Sequence, residues 1–179
     1  ETQTPVRDFD VVAFSISFET DYLNMARMLQ LSGIPVWSSD RNHFHPLVIM
    51  GGAASFLNPE PIAEFTDVIA VGEGEILAYQ LVDAILENET KEDILLALAR
   101  IGRGFYVPSF YDVRYGESGS VERFEPKAGT GAPAVVRKAA LKTTEAVDPP
   151  VTSIFTPDTE FGSRFLVEIV RGCANLCRF

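Results

Sequence analysis

The chain has 179 residues and a formal net charge of −10 at pH 7, from 15 Lys and Arg against 25 Asp and Glu. This acidic balance argues against nucleic-acid binding, because contacts to phosphates need clustered cations. The length suits one full domain with an extension, whereas the longest apolar runs are far too short to span a bilayer and the first residues do not form a secretory signal.

The first half of the sequence alternates between strand and helix patterns. Residues 9–17 form an almost continuous apolar run, which is typical of a strand buried on both faces of a parallel sheet. Apolar residues at helical spacing predict a helix over residues 21–31. Two further buried strands are predicted at residues 47–50 and 67–71, with a short helix near residues 60–65 between them.

Two longer helices are predicted after the third strand, at residues 76–87 and 91–100. Thr90 is in position to cap the second of them, and Gly102 is in position to end it. Strands and helices that alternate in this order indicate an α/β fold. We expect a partial doubly wound (Rossmann-like) parallel sheet with right-handed crossovers.

The character of the sequence changes after Gly102. Short apolar stretches at residues 105–107, 111–115 and 120–124 predict small antiparallel strands, and residues 135–141 fit another strand. We therefore expect three parts: an α/β domain over residues 1–103, a β-rich linker or subdomain over residues 104–163, and the start of a further domain at residues 164–179.

Both cysteines of the chain lie in the last part. The apolar run at residues 165–170 predicts a buried strand, so Cys173 and Cys177 are expected on the loop that leaves its carboxyl end. Two cysteines confined to one loop favour a reducing cytoplasm over a disulfide framework. Taken alone, this spacing fits a fragment of a structural metal site or two buried thiols as well as a pair of cluster ligands.

The final residues, Arg-Gly-Cys-Ala-Asn-Leu-Cys-Arg-Phe, resemble the opening of the radical S-adenosylmethionine (radical SAM) motif, Cys-x3-Cys-x-aromatic-Cys. Cys173, Cys177 and Phe179 match this pattern, and the third cysteine is expected directly after Phe179. The resemblance implies a 4Fe-4S cluster held by thiolates, with S-adenosylmethionine on the iron that has no cysteine. Two cysteines do not complete that site, so this portion alone is expected to be inactive. The whole protein is expected to be a radical SAM enzyme.

Three loops follow the predicted parallel strands, at residues 15–19, 51–55 and 72–75. In open α/β sheets, ligands bind beside loops at the carboxyl ends of strands, and glycines or small hydroxyls let a ligand approach the backbone. These loops resemble those of the cobalamin-binding domain that precedes many radical SAM domains. By that resemblance the candidate cofactor-binding residues are Ser15, Ser17, Gly51, Gly52, Gly72, Glu73, Gly74 and Glu75.

Simpler interpretations of the same residues stay open. The glycines fit tight turns without a ligand, and Glu73 and Glu75 fit the start of a helix, where carboxylates complement the helix dipole. His43 and His45 fit either metal ligands or exposed loop residues. The Asp-x-His-x-x-Gly loop of cobalamin-binding domains does not occur in this sequence. It would belong to a strand–helix unit upstream of Glu1, so either that unit lies outside this sequence or the whole protein lacks the motif.

The pairing of this α/β domain with a radical SAM start resembles a family of uncharacterised fused radical SAM proteins. The expected partners are small-molecule cofactors and the rest of the radical SAM barrel in the whole protein. The main alternative is a degenerate α/β domain that acts as a docking or oligomerisation module without a cofactor, for example by forming a homodimer through an open sheet edge. An unrelated sugar- or nucleotide-binding α/β domain is a third alternative, supported by fold analogy alone.

Overall fold

A computed structural model describes residues 3–142, 147–158 and 160–169. It divides into two compact units, Glu1–Ala140 and Leu141–Phe179, each of which is described by itself. The predicted boundary at residue 103 falls inside the first unit, which also contains most of the expected β-rich region.

The first unit is built on a four-stranded sheet in the order β1-β2-β3-β4. Strands β1 (Val11–Ser15), β2 (Leu47–Gly51) and β3 (Val68–Ala70) are parallel, as the apolar runs predicted. Strand β4 (Phe105–Tyr106) is antiparallel to β3 and closes that side of the sheet. The α/β fold with a mostly parallel sheet is confirmed.

Helices connect the strands and cover both faces of the sheet. They are α1 (Asp21–Leu31), α2 (Ala54–Leu57), a 3-10 helix at Glu60–Phe65, α3 (Gly74–Glu87) and α4 (Lys91–Arg100). The predicted cap of α4 is confirmed, because the side chain of Thr90 accepts a hydrogen bond from the amide of Asp93. Over the described residues, no helix is long and apolar enough to cross a membrane.

The core consists of two layers, one on each face of the sheet. On one face, Val48 and Met50 of β2 belong to a cluster with Met25 of α1 and Ile62 of the 3-10 helix. On the other face, Leu47 and Ile49 belong to a cluster with Leu77 of α3 and Leu98 of α4. Because side chains alternate along a strand, one apolar run can supply both layers.

The region after the sheet is partly as predicted. Strands β5 (Tyr111–Tyr115) and β6 (Val121–Pro126) form the expected antiparallel hairpin. The strand predicted at residues 135–141 is wrong, because only isolated parallel bridges, Arg103 to Arg137 and Gly72 to Ala139, occur there. The two bridges join this segment to different partners, one after β3 and one before β4, so no continuous ladder forms.

The buried strand predicted at residues 165–170 is not found over residues 165–169, the part of it that the structure describes. Within residues 165–169, which are described, a single antiparallel bridge joins Val167 to Val151, and Ile169 is 93% exposed. A barrel strand is buried only when neighbouring strands and helices cover it, and no such cover exists among the described residues of this unit. Cys173 and Cys177 lie outside the described residues.

Candidate functional site

The three candidate loops lie together where the parallel strands end, along the side of the sheet formed by the carboxyl ends of β1, β2 and β3. Strands β1, β2 and β3 run in parallel, so the residues that follow them lie at the same edge. Ser15, the last residue of β1, pairs in register with Gly51, the last residue of β2. Ser15 and Ser17 are exposed there, as a ligand-facing position requires. The sequence therefore located a real cluster of loops, which we call the carboxyl edge.

The second loop packs directly on the first. Gly52 has a φ of 97°, and a β-carbon on it would lie 2.5 Å from the carbonyl oxygen of Ile16. The amide of Ile16 donates to the carbonyl of Gly51 at 2.8 Å, and the amide of Ala54 donates to the carbonyl of Ile16 at 3.1 Å. Gly52 is thus required for contact between two loops of this chain, whether or not a ligand binds.

The third loop is covered by a later segment, residues 137–139. The amide of Ala139 donates to the carbonyl of Val71 at 3.0 Å, and the amide of Glu73 donates to the carbonyl of Ala139 at 2.9 Å. A β-carbon on Gly72 would lie 2.4 Å from the same carbonyl of Ala139. The space that Gly72 leaves by having no side chain is therefore filled by the backbone of Ala139 and is not open to a ligand. Sequence reasoning missed this contact, and no local signal marks it.

The first residue of α3, Gly74, is exposed to solvent at the carboxyl edge. A β-carbon there would meet nothing within 4 Å. Glu73 is the N-cap residue of α3, and Glu75 lies in its first turn, where a carboxylate complements the helix dipole by about 0.3–1 kcal/mol. Of the candidate residues, Ser15, Ser17 and Gly74 are the ones exposed at this edge.

A family model described as "Radical SAM proteins, N-terminal" matches residues 1–108. The chain belongs to this family. The match runs from the start of the chain past β4, so it includes all four strands of the radical SAM N-terminal sheet and all three candidate loops.

A curated relative is an uncharacterized protein of Methanocaldococcus jannaschii, which is 27% identical over 179 residues. The alignment covers 100% of this chain but 31% of the relative, so the radical SAM N-terminal chain spans about a third of that protein's length. No solved structure matches the chain.

The side chain of Ser55 connects two segments at the carboxyl edge of this radical SAM N-terminal domain. Its buried hydroxyl lies 2.7 Å from the carbonyl oxygen of Gly52 and 2.9 Å from that of Ala70, which joins the second loop to the end of β3. A cavity of about 340 Å³ opens beside it, with Val71, Tyr106 and Val135 in its lining. The residue lies within the predicted loop, but its bridging role depends on the fold of β3.

The two histidines do not form a metal site with other residues. The ring of His43 lies 3.9 Å from that of Phe44, and Nδ1 of His45 accepts from the amide of Asn42 at 3.1 Å. Among the residues that the structure describes, no group of three His, Cys, Asp or Glu side chains is arranged to hold a metal ion. The expected metal ligands, Cys173 and Cys177, are not among those residues.

Proposed function

We propose that this chain is the N-terminal portion of a radical SAM enzyme and that Cys173 and Cys177 supply two thiolates to its 4Fe-4S cluster. The membership of residues 1–108 in the radical SAM N-terminal family carries this proposal. Two cysteines separated by three residues and followed by Phe179 have the donor chemistry and spacing of the cluster loop. When bound, the cluster supplies the electron that cleaves S-adenosylmethionine, and the protein orients the reactants.

The third thiolate must come from outside these 179 residues, which contain two cysteines. The relative is about three times as long as the aligned segment, which supports a catalytic portion beyond the segment compared. We therefore assign the reaction to the whole protein and place it in the cytoplasm, where thiols stay reduced.

For the α/β domain, two roles are compatible with the family. In the first, the carboxyl edge binds cobalamin beside Ser15, Ser17 and Gly74, which are exposed. In the second, the domain is a docking or oligomerisation module. Close contact of Gly52 with Ile16 and of Gly72 with Ala139 favours the second role, because a cofactor cannot approach backbone that already touches the chain. These glycines do not fit the proposed cobalamin lining, and no step of the reaction is derived through that group.

The cluster proposal is tested with the full-length protein after anaerobic reconstitution with iron and sulfide. Iron content, visible absorbance and the release of 5′-deoxyadenosine from S-adenosylmethionine are measured. Cys173→Ser and Cys177→Ser should each abolish cluster assembly, whereas Ser17→Ala, at the carboxyl edge, should retain it. Normal cluster content in both cysteine variants would exclude these residues as ligands.

The role of the α/β domain is tested separately with hydroxocobalamin and the same protein. Saturable binding with a changed visible spectrum would support the cofactor role, and loss of binding on changing Gly74 to Trp would place it at the carboxyl edge. A protein that assembles the cluster but does not bind cobalamin would support the docking role. Sedimentation of the same sample would then show whether the partner is a second copy of the chain.

A further inference from the structure

A second cavity, of about 560 Å³, shares Glu60 and Tyr106 with the cavity beside Ser55 but is not lined by Ser55 itself. Its lining contains none of the candidate cofactor residues and comes from the 3-10 helix at Glu60–Phe65, the segment that follows α1, β4 and the start of the hairpin. This volume is within the range of small-molecule sites, which is roughly 300–1,000 Å³. The cavity lies entirely within the first unit.

Aromatic rings form two of its walls. Trp37 and Phe65 lie with ring centroids 4.6 Å apart on one side. Tyr106 and Tyr111 contact each other edge to face at 5.2 Å, and Tyr115 extends this wall towards solvent. Aromatic faces carry a negative electrostatic potential and attract cations that lie above them.

Two carboxylates complete the lining. Glu60 and Glu64 lie on the same 3-10 helix, and both are exposed. Glu60 lies close enough to Tyr106 for its charge to contribute to the raised pKa of that tyrosine. Burial, and secondly the interaction with Glu60, raises the pKa of Tyr106, so the negative charge of this lining comes from the glutamates and not from the phenol.

The lining of the cavity carries a net negative charge, from Glu60 and Glu64. Among the described residues, no lysine or arginine side chain lines it. Lys127 donates to the carbonyl of Ser109, a lining residue, at 2.8 Å, but its ammonium is also 3.8 Å from the carboxylate of Asp112 outside the lining. The rings of Trp37 and Tyr115 and both glutamates are exposed and therefore available to a cation from solution, whereas Tyr106 and Tyr111 are buried.

We propose that this cavity binds a small organic cation that carries an alkylated ammonium group. The ammonium would contact the exposed rings of Trp37 and Tyr115, with Glu60 and Glu64 balancing its charge. Neither interaction alone is selective, because a rim carboxylate also attracts inorganic cations and an aromatic wall also attracts neutral apolar molecules. Together they favour a ligand that is both apolar and positively charged.

The chain contains its own probe for this site, because Trp37 is its single tryptophan. The fluorescence of the full chain is titrated with choline and, in parallel, with 3,3-dimethylbutan-1-ol, the neutral carbon analogue of the same shape. We expect a saturable fluorescence change with choline and at least about tenfold weaker binding of the alcohol. Equal affinity for the two compounds, or no saturable change with choline, would overturn the proposal.

Variants distinguish the cavity from the general negative charge of the protein. Glu60→Gln and Glu64→Gln should each weaken choline binding by roughly threefold to tenfold, and Tyr115→Leu, at an exposed ring, should weaken it similarly. Glu87→Gln, at the end of α3 and outside the lining, removes the same charge and should leave the affinity unchanged. Circular dichroism checks that each variant is folded. Equal weakening by Glu87→Gln would contradict the proposed site.

Discussion

Gly72 and Ala139 are packed backbone against backbone, so that a β-carbon on Gly72 would lie 2.4 Å from the carbonyl oxygen of Ala139. The two residues form a parallel bridge, and hydrogen bonds to Val71 and Glu73 hold Ala139 from both sides. Ala139 is fully buried. Residues 137–139 are therefore an integral part of the first unit, although they lie outside its regular strands.

The first prediction is that Gly72→Ala destabilises the first unit by about 2–6 kcal/mol. Gly72 has a φ of 148°, where a side chain is strained by roughly 1–3 kcal/mol. The added carbon also meets backbone, which cannot rotate away, and overpacking costs about 1–3 kcal/mol more. The free energy of unfolding is measured by urea denaturation with circular dichroism.

Gly74→Ala is the matched control, two residues along the same loop. A β-carbon there meets nothing within 4 Å, and alanine favours the helix that begins at Gly74. We expect this variant to be unchanged or stabilised by up to about 1 kcal/mol. Equal destabilisation by both substitutions would show that the contact with Ala139 does not determine the effect.

The second prediction concerns a buried charge network at the opposite end of the strands. Oδ2 of Asp67 lies 3.3 Å from Nε of Arg41, 2.9 Å from Nζ of Lys91 and 2.8 Å from the amide of Val48. The side chain of Arg41 is fully buried, and that of Asp67 is 6% exposed. Asp67→Ala would leave a buried guanidinium without its counter-charge, so we expect a loss of about 3–5 kcal/mol in the free energy of unfolding.

The hairpin offers a comparison for this network. Arg123 and Glu125 also form an ion pair, but both side chains are half exposed, where water screens the attraction. Glu125→Ala should therefore leave the denaturation midpoint almost unchanged. If Asp67→Ala were as mild as Glu125→Ala, the network would contribute little to the stability of the first unit.

The sequence predicted those features that depend on nearby residues. The helix predicted at residues 21–31 is found as Asp21–Leu31, and that at 91–100 as Lys91–Arg100, because spacing, caps and end signals are local. The convergence of the three loops at one edge was also predictable, since it follows from parallel strands.

Features that depend on distant contacts were not predictable. The apolar stretch at residues 135–141 indicated an extended chain but not that Ala139 would cover Gly72. The pairing of Arg41 with Asp67, 26 residues away, leaves no pattern in the sequence. The apolar run at residues 165–170 indicated burial, yet Ile169 within it is 93% exposed, because burial depends on neighbouring strands that the run itself does not specify.

The third prediction is that Thr90→Ala lowers the free energy of unfolding by about 1 kcal/mol. Thr90 accepts from the amide of Asp93 at 3.1 Å and thereby satisfies a donor at the start of α4. Thr20, the N-cap residue of α1, makes no such side-chain contact, so Thr20→Ala should have a much smaller effect in the same urea titration. A larger loss at Thr20 would show that the cap contact is not the stabilising feature.

The last prediction concerns stability at alkaline pH. Burial raises the pKa of Tyr106 above the ordinary tyrosine value of 10.0, with further contributions from the contact with Glu60. The unfolded chain therefore loses this proton at a lower pH than the folded protein does. The stabilising contribution is complete below pH 10.0 and is lost as the pH rises above it towards the folded-state pKa. The free energy of unfolding should accordingly fall between about pH 9 and pH 11.

Tyr106→Phe tests the source of this decline. The variant should have a stability at pH 7 within about 1.5 kcal/mol of the wild type, because the substitution removes only the phenol hydroxyl and its interaction with Glu60. It should also lose less stability between pH 9 and pH 11, with a remaining decline from Tyr111 and Tyr22, whose pKa values burial also raises. Tyr79→Phe, at a ring that is 76% exposed, should keep the wild-type decline. Parallel pH curves for the wild type and Tyr106→Phe would show that Tyr106 does not couple folding to pH, because its removal would then leave the proton difference between the folded and unfolded states unchanged.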